Sequence, residues 1–447
     1  MRSRLSFSQF LRRGTVSLVS VLVITSGITA PSTGRELSRS LTVMGGVVDP
    51  RCDSGRGPVI GLPPSWLAYG PSVATTMLPD GMTLVVVSDY PAASYALVRA
   101  FTSTCAPDLS FGDKGAEHLA LGGRDFRIEA AAPASGGGAI LAGSSPGGWV
   151  VAQMEASGRL DLAFGKGGWT VLPSDGSASA VTQAPSGDIF VGGGLVPGNG
   201  PMGIAELNAR GTVSKPFGRQ GQVVIPEMMD DSELTRVAVE GNGDILGLIA
   251  GGNMGNWRTT VNAFRPNGSP VPSFQGQFAA ALEYASPDVS VADLITRPGG
   301  FLLVGTRQAV PVIAPSPTAT GQVVAFDANG SLDTSFAQHG VARFRSPLEN
   351  PVWALPMQNG GVLMVGQTPY TEATAKAHAR LELLGISKQG RLEARYVHGA
   401  EEVQLPFLNQ SFPASAIPVS VTTDGKMTVV VSSTADGKAL KLVQLLG

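Results

Sequence analysis

The sequence predicts an all-β fold, a single seven-bladed β-propeller of four-stranded blades whose ring is closed by pairing of the N- and C-terminal strands. Three observations predict it: a glycine-and-aromatic motif recurs along most of the chain, a small-residue turn precedes an apolar run in each unit, and short β-type segments lie between them. Internal similarity with a period of this length is typical of solenoids, propellers and arrays.

The recurring motif is clearest at residues 158–168, where Phe164 is the aromatic anchor. Glycine stands six residues before most anchors, and Asp or Glu stands three residues before several of them. The anchors are 53, 53, 57, 62 and 60 residues apart and are Phe111, Phe164, Phe217, Phe274, Phe336 and Tyr396. We expect the acidic residues to accept backbone N–H bonds in tight turns and the aromatic rings to pack between blades.

A second mark lies roughly halfway through each unit, where small residues form a turn before an apolar run. The seven turns lie at residues 80–81, 136–138, 186–188, 241–244, 299–300, 359–361 and 424–426. Between Phe164 and Phe217 the sequence has four β-type segments, at 169–172, 178–183, 189–191 and 202–207. No repeat shows a sustained helical period with caps. Seven turns and four strands per unit therefore predict the seven blades.

At 158–168 the motif reads Gly-x-Leu-Asp-x-x-Phe-Gly-x-x-Gly, and it is followed by a turn of Pro, Ser or Asp, and Gly, here at 185–187, and by an apolar strand. In this form it resembles the delta-60 repeat family and is similar to NHL-type propeller repeats. The resemblance covers residues 46–447 and is weakest at Pro270, Val271 and Pro272. It implies a propeller fold and a secreted or surface-exposed bacterial protein. It transfers no catalytic residue to this chain.

The first 45 residues divide into a signal peptide at 1–30 and a polar linker at 31–45. Arginines precede an uncharged apolar stretch at 15–30, which is shorter than the ~20 residues of a comfortable membrane span. An uncleaved membrane anchor is the alternative. We expect a secreted or cell-envelope protein whose residues 46–447 form the propeller. Within it, residues 46–62 are expected to pair as an outer strand with 439–446.

Composition limits the partners and the redox state. Charged residues make up 15% of the 447-residue chain and the net charge is −2, which predicts no nucleic-acid binding. We expect a monomer. Cys52 and Cys105 are the only cysteines, and in an exported chain two cysteines are first interpreted as one disulfide. Two free thiols are the alternative.

Loop lengths predict which face of the propeller is available for binding. Along an up-and-down sheet alternate connections lie on the same side, so the longer ones share one face, which we call the long-loop face. Between second and third strands they are residues 251–258, 307–320 and 367–379. Between fourth and first strands they are residues 226–233, 279–287, 345–351 and 406–412. Binding residues concentrate on loops held by a rigid scaffold.

The sequence contains no metal-ligand spacing, no nucleophile motif and no cofactor signature, so no catalytic residue is assigned and binding is favoured over catalysis. The candidate binding residues on the long-loop face are Trp257, Arg258, Arg307, Tyr370 and His378. The preferred function is an exported propeller that binds a glycan or protein partner. Alternatives are a secreted enzyme, either a polysaccharide lyase or hydrolase or a dehydrogenase, and a structural envelope protein.

Overall fold

A computed structural model describes the molecule from residue 58 onward, with gaps. The described residues are 58–63, 71–89, 93–198, 200–226, 232–253, 256–285, 289–307, 320–345, 349–367, 380–393, 400–404, 420–423, 427–433 and 439–446. They form an all-β structure with one helix, so the predicted fold class is confirmed at this level. Among them no helix is long and apolar enough to span a bilayer.

The described elements are short strands and helix α1 (Phe274–Ala285), which lies between β16 and β17. The strands are β1 (Val59–Gly61), β2 (Ser72–Met77), β3 (Thr83–Ser88), β4 (Ala96–Phe101), β5 (Ala116–Leu119), β6 (Arg127–Pro133), β7 (Ala139–Ser145), β8 (Gly148–Met154), β9 (Trp169–Leu172), β10 (Ala178–Gln183), β11 (Ile189–Gly194), β12 (Met202–Leu207), β13 (Gln222–Ile225), β14 (Glu233–Val239), β15 (Ile245–Asn253), β16 (Asn256–Phe264), β17 (Val289–Arg297), β18 (Gly300–Arg307), β19 (Thr320–Asp327), β20 (Val341–Arg345), β21 (Glu349–Pro356), β22 (Val362–Gln367), β23 (Arg380–Ile386), β24 (Ala400–Gln404), β25 (Ser420–Thr423), β26 (Met427–Ser433) and β27 (Ala439–Leu446).

The strands of the described segments pair into seven antiparallel sheets, six of four strands and one of three. Across six of these sheets the strand order follows the chain, as expected when neighbours are joined by short turns, and in the seventh β1 pairs with β27. We number them sheet 1 (β2 to β5), sheet 2 (β6 to β9), sheet 3 (β10 to β13), sheet 4 (β14 to β16), sheet 5 (β17 to β20), sheet 6 (β21 to β24) and sheet 7 (β25 to β27 with β1).

Sheet 7 combines the two ends of the chain. Its outer strand β1 pairs antiparallel with β27, with Val59 opposite Lys441 and Gly61 opposite Ala439. Ile60 is buried in a cluster with Leu442 and residues of sheet 1. This pairing is the one that the sequence predicts for the end of segment 46–62; residues 46–57 lie outside the described part of the chain.

The sheets pack face to face through their apolar side chains. Each described hydrophobic cluster combines residues of two neighbouring sheets, for example sheets 1 and 2 around Phe111 and sheets 2 and 3 around Phe164. The first strand of each sheet contacts the first strand of the next, and β25 contacts β2. Four-stranded meanders whose first strands contact one another in series are typical of a β-propeller.

The repeat motif has the structural role predicted for it. Phe111, Phe164 and Phe217 are fully buried. The motif glycine of one unit packs on the anchor of the preceding unit: a Cβ on Gly211 would lie 2.7 Å from the Phe164 ring, and Gly211 has a φ of +72°. Within the motif, Asp161 accepts a backbone N–H bond from residue 163 at 3.0 Å. Position-specific packing and turn geometry therefore explain the periodicity.

Sheet 4 departs from the predicted four strands, because α1 occupies the place of its outer strand. In sheet 3 the outer strand follows a turn with left-handed Gly218 and Gly221, and a Cβ on Gly218 would lie 2.4 Å from the carbonyl oxygen of residue 222. Gln275 and Phe278 stand at the equivalent positions after Phe274, and side chains at two left-handed positions disfavour this turn. The following Ala-Ala-Ala-Leu favours helix. The predicted loop at 279–287 is therefore wrong: the chain is helical to residue 285.

Candidate functional site

The predicted binding residues lie at strand ends or outside the described residues. Trp257 and Arg258 belong to β16, opposite Gly252 and Gly251 of β15, so the predicted loop at 251–258 is wrong. The polar, glycine-rich segment is paired across the two strands up to Asn253 and Asn256, so the hairpin extends to that pair. The second-to-third connection of sheet 2 is similarly tight, with residues 145 and 148 paired.

Three of the candidates share one end of two neighbouring sheets. Arg307 is the last residue of β18 and pairs with Val289 and Thr320, at the second-to-third connection of sheet 5. Trp257 and Arg258 lie at the corresponding connection of sheet 4. The hairpin end and the strand ends at Arg307 and Thr320 therefore lie on the same face. Tyr370 and His378 lie outside the described residues, and the binding role of all five stays a prediction.

Ionisable side chains lie along the first strands of the sheets, a feature that sequence reasoning missed. Four of these strands have a β-bulge at the same place, between residues 128 and 130, 178 and 180, 234 and 236, and 291 and 293. A bulge re-aims a side chain and increases the local twist. The residues at and beside these bulges carry the polar contacts between the first strands.

One polar group joins sheets 2 and 3. Arg127 Nη2 lies 2.8 Å from Glu129 Oε1, and both side chains are buried. The Ser177 hydroxyl, at the start of sheet 3, donates to the same Glu129 oxygen. Ser179 donates to the Leu234 carbonyl at 2.6 Å and so links sheet 3 to sheet 4. These contacts fix the first strands relative to one another.

A second group joins sheets 4, 5 and 6. Arg236 Nε donates to Asp293 Oδ1 at 2.7 Å and Nη2 to Oδ2 at 2.5 Å. Asp293, only 2% exposed, also accepts backbone N–H bonds from Leu294 at 2.8 Å and Ala354 at 3.2 Å. The Arg236 side chain is 44% exposed, so the pair reaches from the interior to solvent. The Asp293 carboxylate raises the pKa of Arg236, so the guanidinium stays protonated.

Glu129 and Asp293 are each paired with an arginine, and Asp293 also accepts two backbone N–H bonds. In the described part of the chain no group of three His, Cys, Asp or Glu side chains is placed to hold a metal ion. The guanidinium of Arg236 is partly exposed and lies on the first strand of sheet 4.

A cleft of 380 Å³ opens on the rim where sheet 4 lacks an outer strand. It lies between β13 and β16 and is closed at one end by the first turn of α1. Its walls are mainly apolar, with Ile225 and Phe264 among them. Asn262 contributes a buried side-chain amide whose nitrogen has no hydrogen-bond partner among the described residues. Its oxygen accepts from Gln275 Nε2 at 3.1 Å.

Comparisons with known proteins place no function on these residues. No protein-family model matches the chain, and no curated protein matches it. Among solved structures it is similar to the polysaccharide lyase Uly1, with 9% identity over 97% of this chain and 98% of that one and a TM-score of 0.42. Regucalcin from Agrobacterium tumefaciens, described as calcium-binding, shares 12% identity over 75% and 96% of the two chains (TM-score 0.37). Drosophila Semaphorin 1b shares 11% identity over 87% of each (TM-score 0.39).

Proposed function

We propose that the chain is a single seven-bladed β-propeller of the delta-60 repeat type, closed into a ring where β1 joins β27. Support comes from the seven sheets in the described segments, the contacts of their first strands in series, and the pairing of Val59–Gly61 with the last strand. A closed ring leaves no exposed sheet edge at the chain ends. Deleting residues 46–62 exposes the β27 edge, and we expect loss of cooperative melting. A variant that melts like the parent protein contradicts closure.

We further propose that this propeller is exported and binds a glycan or a protein through its long-loop face. The observation that carries this is the shared position of Trp257, Arg258 and Arg307, at the same ends of the neighbouring sheets 4 and 5. Aromatic and arginine side chains are the usual anchors of recognition surfaces. The contacts of Arg236 and Asp293 hold the first strands of these two sheets together, so the anchors are presented on a rigid support.

The test is binding of purified protein to a glycan array and to surface proteins captured from a bacterial culture. Trp257→Ala and Arg258→Ala should each weaken the observed binding by ~1–3 kcal/mol, because such anchors dominate the energy of an interface. The matched controls are Arg210→Ala and Asn329→Ala, two exposed residues in tight turns at the opposite ends of the strands. Binding that is lost in the controls and kept in the Trp257 and Arg258 variants places the site on the other face.

Localisation needs its own measurement. Expression of the full chain in a bacterial host, followed by fractionation and mass spectrometry of the N-terminus, should recover protein outside the cytoplasm that lacks residues 1–30. Recovery of the uncleaved chain in the membrane fraction supports the anchor alternative. Recovery in the cytoplasm with residue 1 retained contradicts export.

A further inference from the structure

Glu240 occupies a position that is apolar in the other sheets where it is described. The position directly follows the first strand in sheets 1, 2, 3, 4 and 6, and its N–H donates to the carbonyl oxygen four residues later across the tight turn. This bond recurs at Leu78, Ala134, Ala184, Glu240 and Met357. The four apolar residues are buried, and Glu240 is buried equally, with 4% of its surface exposed. A carboxyl group therefore replaces a core side chain in sheet 4.

The carboxyl group has no partner in this position. Both Glu240 oxygens are inaccessible to solvent and accept or donate no hydrogen bond among the described residues. The two charged groups that act on it are acidic: Asp244 from its own turn and Asp327 from the end of β19. Asp327 already accepts the N–H groups of residues 329 and 331. Arg297, at the same end of β17, is paired with Asp333 instead.

The surroundings explain why ionisation is unfavourable there. Burial first, and then the charges of Asp244 and Asp327, raise the pKa of Glu240 to about 7. A buried carboxylate without a hydrogen bond or counter-ion is costly, so the group keeps a proton below this pH. Above a pH of about 7, the ionised carboxylate is stabilised only if water reaches it.

The boundary between sheets 4 and 5 is where such an opening costs least. Ala238, two residues before Glu240, packs on the cluster that joins these sheets, together with Phe278 of α1 and Phe326. Phe326 directly precedes Asp327 in sequence. At four other boundaries the N–H of the residue after the anchor donates to a carbonyl oxygen of the next unit, in the pairs Gly112–Ser157, Gly165–Arg210, Gly218–Asn267 and Ala337–Gln389. Among the described residues no such bond follows Phe274, so fewer backbone bonds hold the boundary between sheets 4 and 5 than hold those four.

We propose that Glu240 is a proton-operated lock between sheets 4 and 5: the sheets stay closed while its carboxyl group is protonated and separate locally when it ionises. The element released is α1 with the adjoining β19–β20 turn, since both meet at the cluster beside Glu240. The lock changes the cleft at the rim, because the first turn of α1 forms one of its walls.

The direction of the effect follows from the two pKa values. The folded protein holds this proton up to about pH 7, whereas the unfolded chain loses it near 4.5. The closed state is therefore favoured fully below pH 4.5, and this advantage falls as the pH rises and is lost above 7. A difference of this size corresponds to a change of roughly 300-fold in the ratio of closed to open molecules.

The test compares the full-length protein with Glu240→Gln, which keeps the volume and removes the titration, and Glu240→Met, which installs the residue found at Met357. Glu155→Gln, a change at an exposed turn residue, is the matched control. Urea unfolding is measured from pH 5 to 8.5. The ratio of the folding constants of Glu240→Gln and the parent should rise by about 75-fold between these limits, because about 4-fold of the roughly 300-fold total change already occurs below pH 5, while Glu155→Gln follows the parent. Equal pH dependence in the parent and in Glu240→Gln overturns the proposal.

Hydrogen exchange then locates the opening. After correction for the intrinsic exchange rate at each pH, peptides covering α1 and residues 327–331 should lose protection above pH 7 in the parent and keep it in Glu240→Met. Asp244→Asn removes one of the two repelling charges and should move this transition to lower pH. Protection that is lost evenly over all sheets, or a transition unmoved by Asp244→Asn, contradicts a lock at this boundary.

Discussion

Replacing Asp293 by alanine is expected to destabilise the protein more than any change to its arginine partner. The carboxylate is almost completely buried and satisfies two backbone N–H groups, one of them in the next sheet, as well as the Arg236 guanidinium. Removing it leaves Ala354 N–H without its acceptor in the interior and leaves the arginine without its counter-ion. Breaking a buried pair in this way costs ~3–5 kcal/mol.

Arg236→Ala is expected to cost less, ~1–2 kcal/mol. The arginine side chain is 44% exposed, so water screens its charge and can enter the space that it leaves. Asp293 would still accept the N–H groups of Leu294 and Ala354. Asp293→Ala is expected to cost more than Arg236→Ala because the carboxylate connects three sheets, whereas the guanidinium makes a single partly solvated contact with it.

Equilibrium urea unfolding of both single variants and of the double variant, followed by circular dichroism, measures these quantities. The coupling energy from the cycle should be ~1–2 kcal/mol, less than the cost of Asp293→Ala alone. Asp293→Asn is the control, since it keeps an oxygen acceptor at the same place. The reasoning is refuted if Arg236→Ala costs as much as Asp293→Ala, or if Asp293→Ala costs less than ~1 kcal/mol.

Three further outcomes test the local geometry. Gly276→Ala should stabilise the protein by ~0.5–1 kcal/mol, because the glycine is helical with open space at its Cβ, and a loss measured by urea unfolding contradicts α1. Gly211→Ala should cost ~2–4 kcal/mol, because the new Cβ clashes with the Phe164 ring and the backbone is left-handed. Gly136 has open space at its Cβ and no left-handed backbone, so Gly136→Ala should be neutral within ~0.5 kcal/mol in the same assay. Cys52 and Cys105 should be joined in secreted protein, with a loss of ~3–4 kcal/mol on reduction, and mass spectrometry that finds two free thiols ends this prediction.

The periodic part of the fold was predictable because its signals are local. Four of the motif glycines pack on the anchor of the preceding unit, and their left-handed backbone leaves few alternatives; they are Gly158, Gly211, Gly330 and Gly390. The turn aspartates accept N–H groups two residues away, as Asp161 does. Both constraints recur once per unit, so the sequence records them several times. Cys105 is buried in a cluster with Ile60 and Leu442. Cys52 lies outside the described residues, so the disulfide stays a prediction.

The features that were missed depend on pairings between distant residues. Nothing near Arg236 identifies Asp293, 57 positions later, as its partner. The segment at 251–258 resembles a loop because it contains glycines and asparagines, yet cross-strand pairing makes it a hairpin. Helix α1 did leave a local signal, the loss of two turn glycines after Phe274. The loss of these glycines predicts a change of structure only if the left-handed backbone of the repeat glycines is already known.

The departures from the repeat converge on sheet 4, and they are physically connected. Its strands β15 and β16 are nine residues long, against six for β11 and β12, and extend toward the long-loop face with Trp257 and Arg258. Its outer strand is replaced by α1, and its core position at the tight turn holds Glu240. In a repeat fold each unit is stabilised mainly by its neighbours, so a unit with fewer backbone bonds and a buried acid opens before the others. Places where local rules are broken are where function or strain is expected. The proposed loosening of α1 with pH and the proposed binding at Trp257 both involve the three strands of sheet 4. The two effects should therefore be measured in one experiment.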